Sequence, residues 1–437
     1  MEEKTSFWTA AIGELAATAR LYPQSAYTGL QRSLQQEWQY VQQLVGGISD
    51  SFSAVEKAIR DDFIPALFGE EQAAPKNFWK LLALPVKHAG IALPNPTVSG
   101  PANHKASILV CSHLLAAFRG TAEFSTADHL SVRREVFQEL QKRKDVENSE
   151  SLASALLPMP VETRLTIQRG KETGMWLTLA PSTVNGTELS TQEFRDHLFL
   201  RYDKRPPDLP SHCNGCLAKF DMCHALQCKK GGLVIMRHNE IKDELCDLLT
   251  KALVPSAVCD EPRIYPSRPA VPTPTKAEPD PVRRINSLVD DDRGDILVRG
   301  FWARGTDCII DVRVTNTDAK SQRHKDPDKI LSQHEQEKKR KYLEPCLKQR
   351  RHFTPFVVST DGLLGREATV FLKRLASVLS DKWHQPYSVV CGFVRSRMSI
   401  AIARATHMCL RGSRVPTSQM CNRRPQWEDR AGLGLHR

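Results

Sequence analysis

The sequence has no long hydrophobic run. No apolar stretch approaches the roughly 18–20 residues that a bilayer crossing requires, so no membrane partner is expected. The first twenty residues carry three acids and no continuous apolar core, which argues against a secretory leader. Apolar residues make up only 41% of the chain, and no internal repeat is visible. With 27 prolines in 437 residues, this composition points to several domains joined by long connectors. Without a leader, the twelve cysteines read as thiols or metal ligands rather than disulfides.

What the chain does have is positive charge, +11 in formal terms. Each Lys or Arg set against a phosphate releases a counterion, so a basic balance favours polyanionic partners. DNA is the expected partner and RNA a second one, in an intracellular and nuclear setting. The plainer reading of the same charge is a solubility surface.

Residues 1–100 read as helical. Leu30, Leu34, Trp38, Val41 and Val45 recur at helical spacing, as do Phe52, Val55, Ile59 and Phe63, with Gly46 and Gly47 between the two stripes. Residues 84–94 are punctuated by Pro and Gly and predict a turn-rich loop. Residues 101–205 read as mostly helical, with a short strand expected over 176–180. A cysteine cluster occupies 206–232. Residues 233–414 read as an α/β domain interrupted by a Pro-rich insertion over 254–290, which closes on Asp290, Asp291 and Asp292. Residues 415–437 read as a disordered tail. In the α/β part an amphipathic helix is expected over 237–253. Strands are expected over 295–302, 307–315 and 353–359, a polar helix over 328–349, and further helices after residue 364 and over 386–410. The fold class is therefore multidomain: an α-helical N-terminal part, a small zinc knuckle and a C-terminal α/β domain of restriction-endonuclease type.

Four of the twelve cysteines fall within sixteen residues, and Cys213, Cys216, His224 and Cys228 make C-x2-C-x7-H-x3-C. A tetrahedral Zn²⁺ takes four such ligands, and a set of four protein ligands leaves no open position, so the site is structural. Cys223 is an alternative third ligand, His212 a weaker one, and buried free thiols the competing reading. Lys219, Lys229 and Lys230 beside the cluster suit a phosphate-facing surface.

The second constellation is acidic. In the strand 307–315, Ile309, Asp311 and Arg313 alternate onto one face. A carboxylate and a cation two apart on a strand face is the arrangement that restriction-type nucleases use to hold Mg²⁺ and orient a phosphate. Asp295, at the start of the adjoining strand, is the natural second carboxylate. Arg313 stays charged but cannot act as a base, so Lys338 is the first candidate for the missing cation and Lys341 the second, with Tyr342 on the same helix. Arg237 and His238 open the preceding helix, where a phosphate can bind, and Glu240 or Asp243 can add a carboxylate. Each feature has an ordinary counterpart: a solvated strand face, a nuclear-import patch at 337–341, and a helix start capped by Asn239.

Together these residues resemble the C-terminal region of non-LTR retrotransposon polyproteins that carry a restriction-like endonuclease. The resemblance rests on residues 30–69 and 84–96, which look like a reverse-transcriptase thumb, on the C-x2-C-x7-H-x3-C knuckle with Lys229, Lys230, Arg237 and His238, and on Asp295, Asp311, Lys338, Lys341 and Tyr342. It implies Mg²⁺-dependent nicking of DNA at an insertion site, with element RNA as a further ligand. No Tyr/Phe-x-Asp-Asp motif occurs, so a polymerase active site is not expected here, and the resemblance implies a piece of a longer reading frame. Gly294-Asp295 stands where the family writes Pro-Asp. Two other functions fit the same residues: a nucleic-acid-binding fragment without catalysis, and a structural extension of a reverse transcriptase on another chain.

Overall fold

In the computed structural model, residues 1–69, 78–264 and 293–415 are described. The chain divides between Pro206 and Pro207 into two compact units. It is mostly helical, with one four-stranded mixed sheet on its C-terminal side. Most of the Pro-rich insertion, with Asp290, Asp291 and Asp292, and the tail beyond Val415 lie outside the described residues.

The first unit packs its helices around aromatic side chains. Trp8, from the helix Glu2–Ala19, stacks on Phe52 at 5.9 Å and meets Trp38 edge-on at 6.1 Å. The stripe Phe52, Val55, Ile59 and Phe63 is buried as its spacing predicts. The stripe from Leu30 holds only as far as Trp38, since Val41 is half-buried and Val45 exposed. Gln42 takes the inner place instead. Its amide donates to the Pro96 carbonyl at 2.8 Å and accepts from Asn103 at 2.9 Å, so the polar group is satisfied where it is buried. Residues 84–94 form a tight loop with a 3-10 turn at Val86–His88. At Gly90 a Cβ would lie 1.8 Å from the Leu84 carbonyl oxygen, so only glycine fits. Arg201 fastens this loop through the carbonyls of Gly170, Val86 and Gly90. The expected strand over 176–180 does not form, and Met175–Thr178 is a 3-10 turn.

In the second unit, helix α1 (Met222–Gln227) belongs to the cysteine cluster and α2 (Leu233–Ala252) follows. The sheet has the order β1 (Val258–Asp260), β2 (Ile296–Arg299), β3 (Asp307–Thr315) and β4 (Arg351–Ser359). The first three strands run antiparallel, while β3 and β4 are parallel and joined through α3 (Pro327–Lys348), the crossover that a parallel pair requires. Two more helices, α4 (Arg366–Trp383) and α5 (Tyr387–Arg411), complete the unit. Strand β1 falls within the segment expected to be insertion. Its Val258 pairs with Val298 and its Asp260 with Ile296, so the start of that segment widens the sheet.

Alternation along β3 sets the two faces. Cys308, Ile310 and Val312 enter a core with Ile241, Leu245 and Leu249 of α2, Phe371 and Leu375 of α4 and Val394 and Met398 of α5. Phe301 and Phe371 meet in this core at 4.6 Å. On the other face Ile309 packs with Tyr342 and Cys346 of α3 and Phe353 of β4. Asp311 and Arg313 share that second face, and α3 lies over it.

Candidate metal and nucleic-acid site

The cysteine cluster closes as its spacing predicts. Cys213 and Cys228 Sγ lie 3.9 Å apart, Cys216 and Cys228 Sγ 3.9 Å, and Cys216 Sγ lies 3.4 Å from His224 Nε2. All four ligand atoms fall within 4.8 Å of one another. A tetrahedron with bonds of about 2.3 Å to sulfur and 2.0 Å to nitrogen has edges of about 3.5–3.8 Å, so the cluster can hold a zinc ion. Asp221 starts α1 by accepting the His224 N–H at 2.7 Å, and this orients the histidine. The Gly215 N–H points at Cys213 Sγ at 3.4 Å. Burial pushes the Cys213 thiol up, yet His224 and the N–H groups of Gly215 and Cys216 draw it down to about 6. Burial and the neighbouring Cys213 and Cys216 push Cys228 the other way. Thiolates crowded together repel, and a dication resolves that by letting all of them ionise. Cys223 faces Gln227 at 3.6 Å and His212 faces Ser211 at 3.1 Å, so neither competing ligand joins the cluster.

The knuckle is docked by two buried arginines that the sequence reading did not assign to it. Arg237 was expected at a helix start and on a phosphate. Helix α2 instead begins at Leu233, after Gly231 and Gly232, both at positive φ. Arg237 therefore sits in the second turn, 3% exposed, and donates to the Leu226 carbonyl at 2.9 Å. For the same reason Asn239 is not the N-cap. Arg414, beyond the end of α5, is 2% exposed and donates to the carbonyls of Ala225 and Cys409. Its guanidinium lies 5.2 Å over the Phe220 ring, which in turn meets His224 edge-on at 6.0 Å. A Cβ at Gly231 would come within 2.4 Å of the Arg414 backbone, and one at Gly215 within 2.7 Å of its side chain. Two glycines thus make room for the clamp. The knuckle, expected as a domain of its own, belongs to the same compact unit as the sheet. Lys219, Lys229 and Lys230 remain exposed.

At the acidic constellation, β2 begins at Ile296, opposite Ile310. Asp295, one residue before the strand, donates its own N–H to the Ile310 carbonyl at 3.0 Å instead of pairing with Asp311 in register. Because β2 stops there, the Val312 N–H has no strand partner on that side. The Asp295 carboxylate takes it, with Oδ2 accepting at 2.5 Å. His238 Nε2 donates to the same Oδ2 at 3.1 Å and lies 3.2 Å from the Val312 carbonyl. Burial works against a charge on His238, but the Asp295 carboxylate outweighs it and raises the imidazole above its ordinary value.

Asp311 is buried, 5% exposed. Lys338 Nζ approaches its Oδ2 to 2.7 Å. This is ion-pair contact without hydrogen-bond alignment, since the same oxygen has no hydrogen-bond partner. Burial raises the Asp311 carboxyl above the usual range. Lys338 opposes the shift, the Asp295 charge adds to it, and His238 opposes it weakly. The two carboxylates are therefore close enough to feel each other.

The remaining predicted residues divide. Arg313 is paired with Glu337 at 2.8 Å. Lys341 rests 4.8 Å over the Tyr342 ring and Lys338 5.6 Å over it, a cation–π arrangement. Tyr342 itself is buried in the core beneath α3, so it supports the lysines instead of meeting a nucleic-acid strand. Glu335 is buried too and accepts the Glu367 N–H at the start of α4. Glu240 and Asp243 are exposed, and His238 takes the place expected for them beside Asp295. No family model matches the chain, and no curated protein does.

Proposed function

We propose that the second unit is a Mg²⁺-dependent DNA endonuclease of restriction type, with a structural zinc knuckle, related to the C-terminal region of non-LTR retrotransposon polyproteins. The observation that carries this reading is the approach of the Asp295 carboxylate, bonded to the Val312 N–H at 2.5 Å, to the neighbouring Asp311, with the Lys338 ammonium 2.7 Å from Asp311. A buried Asp311 carboxylate repelled by a half-buried Asp295 fits a divalent cation, which relieves both desolvation and repulsion. When bound, Mg²⁺ polarises the phosphoryl oxygen and favours hydroxide at neutral pH.

The chain's own groups supply the rest. Asp295 and Asp311 hold the cation. Lys338, released from Asp311, neutralises charge that builds on the attacked phosphate, the electrostatic contribution that dominates such reactions. Arg313 can leave Glu337 for a neighbouring phosphate. Lys229 and Lys230 are exposed beside the knuckle and suit contact with the DNA or RNA backbone.

A plasmid-nicking assay in Mg²⁺ tests the reading. Wild type is expected to convert supercoiled DNA to the nicked form. Asp311→Asn is expected to be at least about a hundredfold slower, the loss typical of removing one essential charge contact. Equal rates in both proteins would leave a nucleic-acid-binding unit without catalysis.

A further inference from the structure

We infer that His238 is a positioning residue that fixes which oxygen of Asp295 is offered to a divalent cation. The inference rests on reading Asp295 and Asp311 as a cation site. Asp295 Oδ2 is already committed, because it accepts the Val312 N–H at 2.5 Å and the His238 Nε2–H at 3.1 Å. Oδ1 makes no hydrogen bond among the described residues. A carboxylate tied at one oxygen by two donors cannot rotate freely, so Oδ1 is presented in a fixed direction. His238 is itself held, because Nε2 also lies 3.2 Å from the Val312 carbonyl and Nδ1 lies 3.3 Å from Asn239 Oδ1. It reaches Asp295 from α2, on the opposite side of the sheet from Lys338. The carboxylate is thereby gripped from one side while the cation's other partners come from the other. Groups that orient a ligand in this way typically change metal affinity by about 10–100-fold when removed.

The experiment uses the full chain, zinc-loaded, with Mn²⁺ as the probe and the free-ion paramagnetic resonance signal as the readout. Zinc content and thermal midpoint are checked for each variant. His238→Ala is expected to raise the Mn²⁺ half-saturation about 10–100-fold. His238→Gln, whose amide nitrogen can stand where Nε2 stands, is expected to restore binding to within about threefold of wild type. His238→Asn, which places its amide nearer the Nδ1 position, is expected to behave like the alanine variant. A structural role alone would not separate Gln from Asn, so equal behaviour of the two overturns the inference. If Asp311→Asn abolishes Mn²⁺ binding while His238→Ala binds as wild type does, the positioning role fails and the cation site stands. If wild type and Asp311→Asn bind Mn²⁺ alike, the cation site fails and the inference falls with it.

Discussion

The knuckle and the acidic cluster belong to one compact unit and are assembled in opposite ways. The knuckle takes all four ligands from residues 213–228, so a tight turn and one short helix bring them together. The acidic cluster takes His238 from α2, Asp295 from the lead into β2, Asp311 from β3 and Lys338 from α3. Only Asp295 and Asp311 come from consecutive strands, and the meeting of all four depends on the sheet and on the packing of two helices across two faces. A local site can form as soon as its own segment is made, whereas a dispersed one exists only in the finished fold. The electrostatics differ in the same sense. One Cys213 thiol is already drawn down to about 6, ready for a metal, while burial lifts Asp311 above the ordinary carboxylate range.

This contrast can be broken most forcefully at the zinc ligands. Structural zinc sites contribute apparent binding free energies of about 10–16 kcal/mol in small domains. Chelation, or Cys216→Ser with Cys228→Ser, is expected to open residues 207–232 to protease while the sheet stays folded. A digestion pattern unchanged by chelator would refute a structural metal. The next effect is smaller and tests how self-sufficient the knuckle is. Arg414→Ala leaves the carbonyls of Ala225 and Cys409 without their donor in a buried place, at a cost of about 2–4 kcal/mol. It is expected to lower the denaturation midpoint and to speed zinc release to a chromogenic chelator. Unchanged release would mean that the knuckle needs no clamp.

The smallest effect has the opposite sign. The folded pKa of Asp311 is raised, so the ionised form is penalised in the folded state. That penalty is complete above the folded pKa and absent below the ordinary unfolded value, near 3.9. Asp311→Asn removes the penalty at neutral pH. With zinc bound and no Mg²⁺ or Mn²⁺ added, it is expected to raise the melting temperature by about 2–4 °C for each kcal/mol relieved, and the gain is expected to vanish as pH falls through the folded pKa. Melting curves of both proteins from pH 4 to 8 give the answer, and a lower midpoint for the variant at pH 7 would show Lys338 to be the dominant neighbour.

How much could be read in advance follows the same division. Cys213, Cys216, His224 and Cys228 were legible because chelate spacing is a local property. Strand β3 was legible from its alternation and α4 from its helical stripe, and Asp311 with Lys338 followed from strand alternation and helical spacing. The roles of Arg237, His238 and Arg414 were not legible. Starting α2 four residues earlier turns Arg237 inward toward the knuckle and brings His238 to Asp295, and only the paired left-handed glycines at 231 and 232 hint at that start. Arg414 carries no sequence signal, since its acceptors are main-chain carbonyls set by the fold. Strand β1 was hidden because a three-residue edge strand beside a Pro-rich stretch has too little pattern to detect.

The clamp at Arg414 also imposes an order on biosynthesis. A ribosome working at about 5–20 residues per second completes Cys228 roughly ten to forty seconds before it adds the arginine. During that interval a nascent knuckle has its full set of thiols and no lid, so a metal ion that binds the cluster then would be in place before Arg414 closes over it.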